Sequence, residues 1–192
     1  MIIKNDSPFV RIDNILAGQT PKALDVFTVF LLKHNFDLVV EIGSGRGGFS
    51  IFISNNVKTF ISYDISSERN EASKKNPDID FRISDCLSEN TISEIEKEVI
   101  KHKKVLILCD GGSKEVELAT YGKLIERGSY IMCHDYAFNT DTYKQNQLDT
   151  SWPSEPESYF NNVKNMIQEI DIIKSTEHDD FSKVFWGCFI KQ

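Results

Sequence analysis

The chain has 192 residues, 40% hydrophobic and 27% charged, which is enough apolar material for one domain with a sizeable core. A net charge of −7 and a pI near 5.1 argue against broad, sequence-independent binding to nucleic acid. Apolar runs are too short to span a bilayer, the first residues lack the apolar core of a signal peptide, and Cys86, Cys109, Cys133 and Cys188 show no CxxC spacing, so a cytoplasmic protein with reduced thiols is expected.

Residues 1–20 have no firm periodicity. Thr20-Pro21 reads as an N-cap followed by a first helical residue. Ala23, Leu24, Phe27, Phe30 and Leu31 then keep a helical period up to Lys33. The run 38–42 is a first strand; a glycine-rich turn at 43–48 and a helix to about Asn55 follow. Residues 59–63 read as a second strand ending in Asp64. Residues 66–75 suit a helix, broken by Asn76-Pro77-Asp78. A brief third strand at 81–83 ends near Asp85, and 91–102 is an amphipathic helix.

The continuously apolar run 105–109 predicts a central parallel strand, ending in Asp110. Residues 114–126 predict a helix closed by Gly128. A fifth strand, 130–133, ends in His134-Asp135. Residues 137–158 break the pattern and read as a long irregular loop on the substrate side, with Tyr143 and Trp152 as lid candidates. A helix at 159–170 precedes two apolar runs, 170–174 and 184–190, whose polar link at 177–180 predicts a hairpin. His34, His102 and His178 lie in polar contexts and are expected at the surface. Strands alternating with helices imply an α/β fold with a mostly parallel sheet, in a single domain over 1–192.

Gly43-x-Gly45-x-x-Gly48 fits the dinucleotide fingerprint, a weak signal alone. Glu41, two residues before the first glycine, would repel a pyrophosphate and favour a cationic ligand. That disfavours a nicotinamide-dependent oxidoreductase. Asp64 ends the next strand, where a carboxylate can accept from ribose hydroxyls. Arg46, within the loop, is a candidate partner for Glu41 or for a cofactor carboxylate.

The segment Glu41-Ile-Gly-Ser-Gly-Arg-Gly resembles the first motif of class I S-adenosylmethionine (SAM)-dependent methyltransferases, a resemblance extending over roughly residues 20–190. It implies a Rossmann-like, seven-stranded, mostly parallel sheet with a C-terminal antiparallel hairpin and helices on both faces. It places Glu41, Gly43, Ser44, Gly45, Asp64, Asp85, Cys86 and Asp110 along the cofactor. A narrower resemblance is carried by Asp110-Gly-Gly-Ser-Lys114 and by Gly128 through Tyr136. These segments are similar to metal-dependent O-methyltransferases, especially the cephalosporin hydroxylase-like branch with its sugar O-methyltransferases.

That resemblance implies that Asp110, His134 and Asp135 hold Mg²⁺ or another divalent metal. The departure is His134, where the family more often has a carboxylate; histidine suits Mn²⁺, Fe²⁺ or Zn²⁺ better than Mg²⁺. His134, Lys114 and Asp110 are the catalytic candidates, with Lys114 as a base requiring a lowered pKa. The expected reaction is O-methylation of a small-molecule hydroxyl such as a sugar. The alternatives are an inactive cofactor-binding module, or a methyltransferase acting on protein or nucleic acid. Nucleic acid is disfavoured by charge, no membrane partner is expected, and homo-oligomerisation is left open.

Overall fold

The computed structural model describes the whole chain except residues 67–71, 73–75 and 77–78. The expected helix at 66–75 and the break after it therefore fall largely outside the described residues. Three short strands open the chain: β1 (Ile3–Asp6), β2 (Phe9–Ile12) and β3 (Ile15–Leu16). They form an antiparallel sheet of their own, where the sequence had shown no pattern. Val10, Ile12 and Ile15 are fully buried against the main body, whereas all of β1 is exposed.

Helix α1 (Pro21–His34) starts as its sequence dictates. Thr20 accepts from the Ala23 amide at 3.2 Å, and Pro21 occupies the first turn, where its missing N–H costs nothing. Asn35 closes the helix in the left-handed region, at φ 47°. The buried face is Ala23, Leu24, Phe27, Phe30 and Leu31, as the periodicity predicted.

The main sheet uses β4 (Leu38–Ile42), β5 (Phe60–Asp64), β6 (Asp80–Ile83), β7 (Val105–Cys109), β8 (Tyr130–Cys133), β11 (Ile172–Lys174) and β12 (Gly187–Lys191). Its order is β11-β12-β8-β7-β4-β5-β6. β12 runs antiparallel to β8, and β11 antiparallel to β12; the pairs among β4 to β8 are parallel. This is the Rossmann-like sheet with a terminal hairpin that the sequence implied.

Alternate residues of the central strands feed two cores. Val39, Leu106, Leu108 and Met132 pack with α1 and with α2 (Gly48–Ser54). Val40, Ile42, Ile107 and Ile131 pack with α3 (Glu89–Val99), α4 (Lys114–Tyr121) and α6 (Phe160–Glu169). Chain order reverses between β4 and β7, so their carboxyl ends frame the crevice where α/β sheets bind ligands.

Two local expectations are corrected and one is refined. The stretch 137–158 is not an irregular loop. It carries α5 (Thr140–Thr150), capped by Asn139, and is pinned at its base by a parallel pair between β9 (Tyr136–Ala137) and β10 (Ser158–Tyr159). The link at 177–180 joins the strands of the predicted hairpin, but through a helix, α7 (His178–Ser182), which delivers Phe181 to the rings of Phe27 and Phe30 at 4.9 and 5.0 Å. Helix α4 ends at Tyr121, short of the predicted Glu126, and Gly128 instead serves a later turn at φ 85°.

Candidate active site

The glycine loop is shaped by contact as well as by conformation. Gly43 has φ +88°, and a Cβ there would lie 2.2 Å from the Asp110 carbonyl oxygen and 2.7 Å from the Gly111 nitrogen. The ends of β4 and β7 approach too closely for any side chain. At Gly45, φ is +52° but a Cβ would meet nothing within 4 Å, so this glycine serves backbone conformation and leaves open space. A Cβ on Gly48 would strike the Leu16 carbonyl oxygen at 2.5 Å, which shows how tightly the N-terminal arm presses on the start of α2.

Asp64 ends β5 and braces this loop. Its Oδ2 accepts from the Gly45 amide at 2.8 Å and from Ser44 Oγ at 3.4 Å, and its Oδ1 accepts from the Ser66 amide at 2.9 Å. Glu41 is buried, and its Oε2 accepts from both Ser50 and Ser62 hydroxyls at 2.5 Å. Burial pushes its carboxyl up to about 7 against the pull of those hydroxyls, and Asp110 and Asp64 push the same way. At neutral pH Glu41 is thus poised between the acid and the carboxylate.

A cavity of about 560 Å³ opens here. The structure brings all eight expected cofactor residues to its wall: Glu41, Gly43, Ser44, Gly45, Asp64, Asp85, Cys86 and Asp110. Asp85 also accepts from the Leu87 amide at 2.9 Å, so it caps a turn while facing the cavity. Cys86 is half-buried, and burial pushes its thiol up to about 11. Arg46 lines the same wall, as do Leu16 to Gly18 from the arm. Glu117, fully buried beneath the Asp110-Gly111-Gly112 turn, accepts from the Gly111 and Ser113 amides at 3.2 and 3.1 Å.

Beside the cavity, the ends of β7 and β8 bring Asp110, His134 and Asp135 together. One potential ligand atom from each lies within 4.8 Å of the others. His134 Nδ1 is 3.0 Å from Asp110 Oδ1 and 3.7 Å from Asp135 Oδ2. Asp135 itself sits in the left-handed region at φ 50°, and burial raises its pKa.

Lys114, from the first turn of α4, enters the same cluster. Its Nζ lies 3.7 Å from Asp110, 3.6 Å from Asp135 and 3.0 Å from Glu157, and donates to the Gly111 carbonyl at 2.9 Å. Burial opposes its charge, but Asp110, Glu157 and Asp135 outweigh burial and raise its pKa. A base would need the opposite shift, which was the condition set on Lys114 as a base.

His134 is enclosed. The Trp186 ring is 4.7 Å away, the Trp152 ring meets it edge-on at 5.4 Å, and the Gln19 amide nitrogen is 3.4 Å from Nε2. Trp152 and Tyr143 are buried, with Trp152 stacked on Phe185 at 5.0 Å, so they pack rather than form an exposed lid. His178 is likewise buried, and its Nε2 meets the Tyr136 hydroxyl at 2.9 Å, contrary to the expected surface position. Sequence reasoning missed Gln19, Glu157 and Trp186, which come from the arm, the insertion and the segment before β12. No local motif marks them.

A sheet of this order with a glycine-loop cavity at its switch point has the fold of the class I SAM-dependent methyltransferases. The chain belongs to the FtsJ-like methyltransferase family, which it matches over residues 21–188. Among solved structures it is similar to apo CmcI, with 12% identity and a TM-score of 0.65 over 90% of this chain and 72% of that one. A CmcI structure with Mg and SAM has 14% identity and a TM-score of 0.61, over 91% and 72% of the two chains. Magnesium protoporphyrin IX methyltransferase (ChlM) from Synechocystis PCC 6803, with bound SAH, has 14% identity and a TM-score of 0.56, over 89% and 83%. At these identities the likeness is one of fold. No curated protein matches the sequence.

Proposed function

We propose that this methyltransferase moves the methyl group of SAM to an oxygen of a small-molecule acceptor, a sugar hydroxyl being the favoured class. The carrying observation is one continuous wall, from the Gly43–Gly45 loop and Asp64 to Asp110, that ends at the Lys114 cluster. In this reading Gly43, Ser44 and Gly45 present backbone to the cofactor. Asp64 and Asp85 face its ribose and adenine, and Cys86 adjoins them. Glu41, once ionised, faces its cationic methionine end. One domain spans 1–192, with the 1–20 arm and the 137–158 insertion on the acceptor side.

SAM carries its own leaving group, so the protein must chiefly align the acceptor oxygen and receive its proton. Asp110 is the group that reaches both the cavity and the cluster, and it is the proposed proton acceptor. Lys114 and His134 hold its carboxylate in place. The acidic surface and small cavity favour a small acceptor over nucleic acid. Among the described residues no helix is long and apolar enough to cross a membrane; the cytoplasm is the proposed location.

The donor types of Asp110, His134 and Asp135 suit a divalent cation, but their engagement does not. His134 Nδ1 meets Asp110 at hydrogen-bond distance, and an ammonium lies within 3.7 Å of both carboxylates.

Titration calorimetry with SAM and with NADH tests the reading. SAM should bind and NADH should not, and an Asp64→Ala variant should weaken SAM binding. Tight NADH binding without SAM binding would overturn it.

A further inference from the structure

The side chain that sets the chemistry of the Asp110–His134–Asp135 cluster lies outside it. Gln19 sits between two buried rings. The Trp186 indole nitrogen can only donate, and Gln19 Oε1 accepts from it at 2.9 Å. That bond orients the amide, so the NH₂ end of Gln19 is the end 3.4 Å from His134 Nε2. Two N–H groups cannot bond to each other, so Nε2 offers its lone pair. The ring proton then resides on Nδ1, 3.0 Å from Asp110 Oδ1. Gln19, His134 and Trp186 are 1%, 4% and 0% exposed, which leaves the arrangement little access to water.

The second observation is independent. Lys114 is 6% exposed and already faces Asp110, Asp135 and Glu157 as their common cation. A divalent ion between the two aspartates would stand against that ammonium.

We infer that this cluster is organised by protons and not by a metal: His134 donates its Nδ1–H to Asp110 and is not a ligand, and the Lys114 ammonium supplies the positive charge shared by Asp110 and Asp135. Ligation through Nδ1 would require that nitrogen to lose its proton, and Nε2 to gain one facing the Gln19 NH₂. Gln19 is thus a positioning residue, acting through His134. The inference deepens the methyl-transfer reading and rests on it only in using SAH as the companion ligand of the test.

The test is a titration of Mn²⁺ into the full chain, following the paramagnetic resonance of the free ion with and without saturating SAH. Wild type should take up no stoichiometric Mn²⁺ in either state. Lys114→Met should bind Mn²⁺ about tenfold more tightly or better, because a charge close to both carboxylates has gone. Long-range ¹H–¹⁵N correlation of the histidine rings should show His134 protonated at Nδ1 in wild type. Gln19→Leu should shift the ring toward Nε2 protonation. Equimolar Mn²⁺ uptake by wild type that His134→Ala abolishes would overturn the inference, as would an unprotonated Nδ1 in the wild-type spectrum. A Lys114→Met protein no better at binding Mn²⁺ would remove Lys114 as the resident cation. Failure of wild type to bind SAH in parallel calorimetry would instead sink the methyltransferase reading, leaving the Mn²⁺ result to stand alone.

Discussion

Gly43 and Glu41 show how differently two neighbours can matter. At Gly43 a Cβ would sit 2.2 Å from a backbone oxygen, and backbone cannot step aside. Gly43→Ala should therefore part the ends of β4 and β7, lower the melting temperature and weaken SAM binding by more than tenfold, read by thermal melts and calorimetry. Glu41 acts through its proton. Its folded-state pKa is raised from 4.5 to about 7, so the folded protein holds a proton that the unfolded chain releases. Stability should fall as pH rises from about 4.5 to about 7, by roughly 3 kcal/mol. Glu41→Gln should flatten that slope in melts across this range. A cationic ligand favours the ionised form, so SAM affinity should rise about tenfold between pH 6 and pH 8, and Glu41→Gln should abolish the trend. Glycines and carboxylates at strand ends were legible because their signal is local. Gln19 and Trp186 were not, because an amide and an indole 167 positions apart meet only in the folded chain.

Among the elements, α1 was read correctly because period, cap and proline agree within one short stretch. Its Phe27 packs on Phe49, Phe181 and Trp186 at 5.1, 4.9 and 5.3 Å. Phe27→Ala should cost about 3–5 kcal/mol in chemical denaturation, with the slope of the transition unchanged. Helix α3 begins two residues before its predicted start because Ser88 caps it, accepting from Thr91 at 3.3 Å. Ser88→Ala should cost about 1 kcal/mol. Helix α5 was missed since only Tyr143 and Asn146 face inward, and one aromatic in eleven residues makes no periodic stripe. Helix α7 was missed for a related reason: its five residues are polar apart from Phe181, and their helical form answers to the core that Phe181 fills.

Across the whole molecule, the N-terminal arm ties the two halves of the site together. Leu16 to Gly18 line the cavity, Gln19 holds His134, and Val10, Ile12 and Ile15 are fully buried. Removing residues 1–6 should leave the melting temperature nearly unchanged, since β1 is wholly exposed. Removing residues 1–18 should lower it sharply and abolish SAM binding, because buried apolar surface and one cavity wall go with it. The sequence by itself determined the α/β alternation, the glycine turn, and carboxylates at the ends of β4, β5 and β7, because strand periodicity and turn chemistry act over a few residues. Only the tertiary structure decided what those groups face. The β7 and β8 ends lie side by side in the sheet, so Asp110, His134 and Asp135 meet. Whether they meet a metal or a proton depends on Lys114, four residues after Asp110, and on Glu157 and Gln19, which distant elements carry into the cluster. Charges separated along the chain interact only when folding brings them within a few ångströms and away from water.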